Sequence, residues 1–210
     1  MNPEHEPGTR NVEPGTTPAN PIAFAVVILP PPAVWRRAIE LSAALPAAES
    51  RGLRLDAERR PHLTLTQQFV PVEHLDAALD HVQSTLAGIT ALPLRVTGAG
   101  RGANSVWMAI EPTPALIDLH ASLMDGLIPF ERRDGTEAAF FGGDARPRDI
   151  AWVAGFRRSS SYTAFRPHIT LGHASTLPAV EPLTFDATTI AACQLGRFCT
   201  CRRVLRKWEL

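Results

Sequence analysis

The sequence predicts a duplicated α+β fold with antiparallel strand pairing. Three observations carry that expectation. First, Pro61-His62-Leu63-Thr64-Leu65 returns as Pro167-His168-Ile169-Thr170-Leu171, each copy preceded by an arginine, Arg60 and Arg166. Second, short Val/Ile-rich runs are interspersed with apolar stripes at helical spacing. Third, two glycine-marked connectors join strand to strand, which only antiparallel neighbours allow, and the glycine fingerprint of a dinucleotide-binding parallel sheet is absent.

Residues 1–20 combine Pro, Gly and Asn with no aromatic residue and no periodicity, so a disordered tail is expected, followed by a single bilobal domain over 21–210. Pro21 to Leu29 reads as a buried strand. Pro30-Pro31-Pro32 then opens a helix from about Ala33 to Leu45, with Val34, Ala38, Leu41 and Leu45 on one stripe. The first motif strand runs to about Phe69, and Pro71 introduces a helix striped by Leu75, Leu79, Val82 and Leu86. Its flanking His74 and His81 have no second ligand pair and read as surface residues. Leu92 to Thr97 and Val106 to Ile110 are strands joined by Gly98 to Asn104. That connector lacks the Lys-Ser or Lys-Thr ending of a phosphate loop and precedes no helix, so it is a hairpin turn.

A second long helix is expected from Ala115 to Leu127 and a surface loop or partial lid over 131–148. Asp149 should cap a short helix to Phe156, and Arg157 to Tyr162 should be a solvated linker. After the second motif come a strand near Leu183 to Phe185 and a closing hairpin, Thr188 to Leu195 and Cys199 to Trp208, turning at Gly196-Arg197.

Composition narrows function. With 21 basic and 21 acidic residues the net charge is zero, so no global field draws in long nucleic acid; a nucleic-acid substrate would be short or held by one end. Three cysteines, Cys193, Cys199 and Cys201, make an odd count that argues against a disulfide framework, and they read as small strand residues in a reducing compartment. No charged leader, apolar signal or spanning stretch appears, so a cytoplasmic protein without membrane attachment is expected.

Strand alternation puts Leu63 and Leu65 on one face and His62 and Thr64 on the other, and the second copy repeats the arrangement with His168 and Thr170. If the two motif strands face each other across a cleft, the histidines approach one group from opposite sides. Histidine titrates near neutrality, so one imidazole can accept a proton while the other donates one. That pairing suits attack on phosphorus and departure of an alkoxide, with the threonine hydroxyls donating to non-bridging oxygens. No metal-ligand spacing competes, so the chemistry is expected to need neither metal nor cofactor.

These paired segments resemble the signature of the two-histidine phosphoesterase superfamily. That superfamily includes bacterial RNA 2',3'-cyclic phosphodiesterases, historically called 2'-5' RNA ligases, and plant and yeast cyclic nucleotide phosphodiesterases. The similarity runs from about Ile22 to the segment Gln194 to Phe198. It implies a bilobal α+β fold, two antiparallel sheets around a central groove with helices outside. It also implies a monomeric hydrolase that opens cyclic phosphodiesters, with a cyclic nucleotide, ADP-ribose cyclic phosphate or short RNA end as its partner. On the same basis His62, Thr64, His168 and Thr170 are the catalytic candidates, with His168 as base for water and His62 as acid for the leaving oxygen. Relatives hold the base with an aromatic ring, which makes Phe24, Phe69, Tyr162 and Phe198 candidate contacts, joined by Arg166 before the second motif. The rival expectation is a nucleotide- or RNA-end-binding module without turnover.

Overall fold

A computed structural model describes residues 21–210; the expected N-terminal tail lies outside the described residues. The elements follow the predicted order. Strand β1 (Pro21–Leu29), helix α1 (Pro32–Ala44), β2 (Leu63–Pro71), α2 (Leu75–Leu86), β3 (Leu92–Arg101), β4 (Val106–Ile110) and α3 (Pro114–Gly126) come first. Helix α4 (Pro147–Ser160), β5 (His168–Gly172), β6 (Leu183–Ala187), β7 (Thr189–Leu195) and β8 (Cys201–Glu209) complete the chain. No described helix is long and apolar enough to cross a membrane.

The expectation of two sheets is corrected. All eight strands form one antiparallel sheet, in the order β6-β3-β4-β5-β2-β1-β7-β8. Four strands lie on each side of a narrow waist, where β5 meets β2 through the single register pair Leu63↔Ile169. Periodicity reports which residues face inward but not whether two strand groups share a rung, so the merger is invisible in the sequence.

One face of the sheet carries the main core. Val34, Ala38 and Leu41 of α1, Leu79 and Val82 of α2 and Leu116, Leu119 and Leu123 of α3 pack there against Phe24, Val26, Leu63, Leu65 and Ile169. Helix α4 departs from the expectation of helices on the outside. Its Val153 joins Ala23, Ala25, Val27 and Phe69 in a second cluster on the opposite face of β1, β2 and β7.

Three further expectations change for the same reason, that tertiary packing uses residues a polar sequence disguises. The segment 131–148 is not a free loop, since Phe140 is buried against Phe69 at 5.9 Å between ring centroids. Asp149 sits in the third position of α4 rather than capping it; it forms a capping box with Arg146. Arg157 belongs to α4, where it bonds Glu131 and the Met124 carbonyl. The cysteine reading is corrected as well: Cys193 and Cys201 form a disulfide across the β7–β8 hairpin, and Cys199 stays free. In the register Cys193 stands opposite Val204 and Cys201 opposite Leu195, beside two register shifts that residue spacing does not reveal.

Candidate active site

The waist places both motif strands side by side, and His62, Thr64, His168 and Thr170 line one groove of about 550 Å³. Each imidazole is anchored in the same way. His62 Nδ1–H donates to the carbonyl of Arg60 at 2.7 Å, and His168 Nδ1–H donates to the carbonyl of Arg166 at 2.6 Å. A carbonyl can only accept, so Nδ1 carries the proton and Nε2 is left as the working nitrogen of the neutral ring. Burial lowers both pKa values from the ordinary histidine range. The Arg60 carbonyl partly offsets this at His62, where a positive charge on His168 lowers it further; the Arg166 carbonyl partly offsets it at His168.

Strict alternation would next put Thr66 and Gly172 into the groove, but both strands carry an extra residue just after the motif threonine. On β2 the register against β1 skips Leu65, and on β5 the register against β4 skips Leu171. A bulge of one residue re-phases everything beyond it. Gln67 and His173 therefore reach the groove. The first bulge is stitched by Thr66, whose hydroxyl accepts from Val26 N–H at 3.2 Å, and by buried His120, whose Nδ1–H donates to the Leu65 carbonyl at 2.6 Å. His120 Nε2 accepts from Tyr162 N–H at 2.9 Å, which fixes the tautomer, and Phe165 stacks on its ring at 3.9 Å. At the second bulge Gly172 takes φ +153, a conformation that L side chains rarely adopt, with Leu45 pressed against the site a Cβ would occupy.

Helix α4 supplies one wall through Arg148, Trp152 and Phe156. At its start, buried Asp149 accepts from Arg146 Nε at 2.8 Å, Arg146 N–H at 3.0 Å and Phe198 N–H at 3.2 Å. Burial alone would raise the pKa of this carboxyl, but these donors and the Arg146 charge outweigh it and hold the value below the usual carboxylate range. Phe198 adopts φ +65, a left-handed conformation costing about 1–3 kcal/mol for a residue with a side chain. The Asp149 bond and the Arg146 guanidinium, 3.8 Å from the ring centroid, keep it there. Gly102 and Ser105, between β3 and β4, and Trp107 of β4 line the groove as well.

Of the expected substrate contacts, Phe198 and Arg166 line the groove. The Arg166 guanidinium also donates to the carbonyls of Thr163 and Phe165, both at 2.9 Å. Phe24 and Phe69 are fully buried in the two cores and do not line it. Tyr162 also lies off the groove, its hydroxyl donating to Asp125 at 2.6 Å and accepting from Arg157 at 2.9 Å. Sequence reasoning missed Gln67, Trp107, Arg146, Trp152 and His173. Only His173 had a local signal, a further histidine five residues after His168. Among the described residues, no group of three His, Cys, Asp or Glu side chains is placed to hold a metal ion.

A groove at the meeting of two His-x-Thr strands in an antiparallel α+β sheet defines a phosphoesterase class, and the comparisons agree. A sequence model of the 2'-5' RNA ligase superfamily matches residues 30–200, and the chain belongs to that superfamily, the two-histidine phosphoesterases. Among solved structures, it is similar to Escherichia coli LigT complexed with NADP+, with 21% identity and a TM-score of 0.61 over 91% of this chain and 99% of that one. It is also similar to TT0787 of Thermus thermophilus, with 16% identity and a TM-score of 0.57 over 90% and 98% of the two chains. A third similar structure, a phosphoesterase, has 20% identity and a TM-score of 0.56 over 91% and 99%. At these identities the likeness is one of fold. No curated protein matches the sequence.

Proposed function

We propose that this protein is a metal-independent phosphodiesterase that opens cyclic phosphodiesters on nucleotides or RNA ends by histidine acid–base catalysis. The observation that carries the reading is the matched pair of imidazoles, each with Nδ1–H bound to a carbonyl two residues back and each lining one groove beside a threonine. In the reaction, one Nε2 takes a proton from water as the water oxygen bonds to phosphorus. The other imidazole, protonated at Nε2, gives its proton to the ribose oxygen as the phosphorus–oxygen bond breaks. The two rings exchange protonation states, and solvent resets them. Thr64 and Thr170 donate to the non-bridging oxygens, where negative charge builds in the transition state. A nucleotide substrate is supported by LigT, whose structures include complexes with phosphate, 3'-AMP and ATP.

The test is turnover of a 2',3'-cyclic nucleotide and of a cyclic-ended oligoribonucleotide in the presence of chelator, with products resolved by chromatography. Opening should persist. His62→Ala or His168→Ala should lower kcat by roughly 10²- to 10⁴-fold, and Thr64→Ala or Thr170→Ala by about 10- to 10³-fold. Chelator-sensitive opening restored by added metal would overturn the mechanism. Tight binding of unchanged ligand would leave a binding module instead.

A further inference from the structure

We infer that Trp107 is a positioning residue that fixes the imidazole of His168 for proton transfer, and that Gly100 lacks a side chain so that the indole can lie where it does. The inference rests on reading His168 as a proton-transfer group. Strand β4 pairs Trp107 with Thr170 and Ala109 with His168, so Trp107 is the diagonal neighbour of His168 on the same face. The indole and imidazole centroids are 4.7 Å apart, with the planes inclined by 36°. A hydrogen bond at Nδ1 alone leaves the ring free to rock, because rotation about the bond from Cβ to an sp² ring is broad. Contact with a flat face removes that freedom.

The two histidines differ here. Both imidazoles are half-buried, while the arginine whose carbonyl holds the ring is half-buried at Arg60 and exposed at Arg166. Among the described residues His168 has an aromatic neighbour, and His62 has none within ring-contact distance. Trp107 thus adds at His168 an aromatic restraint that His62 lacks. An indole face also stabilises a cation, which His168 becomes whenever it holds both protons.

The neighbouring strand accommodates the indole. Gly100 on β3 lies opposite Trp107 in the register, and a Cβ built there would overlap Trp107 Nε1 and stand 2.8 Å from Cδ1 and Cε2. A Cβ at Gly102 would come within 3.2 Å of the same ring. Gly100 has no left-handed φ, so glycine supplies room rather than backbone freedom. The glycine-rich segment after Thr97 is therefore a seat for an aromatic ring. Gly100 itself does not line the groove, which makes it a remote handle on His168.

The experiment compares Trp107→Leu, Trp107→Phe, Gly100→Ala and the double variant Gly100→Ala/Trp107→Leu. It measures kcat and KM on a 2',3'-cyclic mononucleotide, and NMR of the His168 and His62 ring protons, with melting temperatures as a folding control. Trp107→Leu and Gly100→Ala should each lower kcat on the order of 10- to 10²-fold with KM changed less than about threefold, and the double variant should fall no further than Trp107→Leu alone. Trp107→Phe should retain most activity. Trp107→Leu and Gly100→Ala should each abolish the ring-current shift of His168 and leave His62 unmoved. A raised KM with unchanged kcat would overturn the inference and make Trp107 a platform for the base. An unmoved His168 resonance in Gly100→Ala would overturn it too. Should the wild type open no cyclic phosphate, the proposed activity fails, yet the His168 resonances still decide the positioning role.

Discussion

A neutral imidazole whose Nδ1–H is committed to a carbonyl has one nitrogen left for chemistry, and both motif histidines are in that state. Identical anchoring does not give identical tasks, because in the proposed reaction one ring receives a proton in the turnover in which the other releases one. The superfamily resemblance favours His168 as base and His62 as acid. A substrate with a much better leaving group separates them, since it needs less protonation of the departing oxygen. It should restore activity to His62→Ala and do little for His168→Ala when initial rates are compared with the natural cyclic phosphate; equal rescue of both would remove the assignment. These histidines were legible because residue type, spacing and repetition together carry the signal. Trp107 was not, since an indole between apolar residues on a strand reads as core, and its contact with His168 depends on which strand β4 pairs with.

Strands β2 and β5 show where alternation stops being a guide. It assigned His62 and Thr64 to one face, but Leu65 and Leu171 each break the period, so the groove beyond them is lined by Gln67 and His173. The bulge on β2 also turns Gln68 into the main core, beside its register partner Phe24. There its carboxamide is 1% exposed and neither polar atom has a partner. An orphaned buried polar group costs about 1–3 kcal/mol, and an apolar side chain of similar length removes that cost. Gln68→Met should therefore raise stability in urea by about 1–2 kcal/mol with kcat and KM unchanged. A loss of stability would mean that the carboxamide is satisfied in the folded protein. Most helices and strands were legible from period and proline placement. The bulges were not, because a one-residue phase change needs the partner strand to reveal it.

At the scale of the molecule, among the described residues, four histidines, His62, His120, His168 and His173, have pKa values lowered first of all by burial. Each binds a proton more readily in the unfolded chain, where its pKa is about 6.5. The unfolded state therefore gains protons as pH falls through that value, and stability, complete above it, declines toward the lower pKa values of the folded protein. For His120 the reason is visible, since Nε2 must stay unprotonated to accept from Tyr162 N–H. The melting temperature should be level between about pH 8 and pH 7 and fall steadily below about pH 6.5. A rise on acidification to about pH 5 would contradict the sign.

The waist has a consequence for what activity reports. One register pair, Leu63↔Ile169, joins the strand groups that carry His62 and His168, so the histidine pair belongs to neither group alone. An enzyme whose machinery rides on one lobe can lose the other and go on working. On the proposed mechanism each partition would keep one proton carrier and have no counterpart for it, so turnover would serve as a proofreading signal for the joining of the two strand groups.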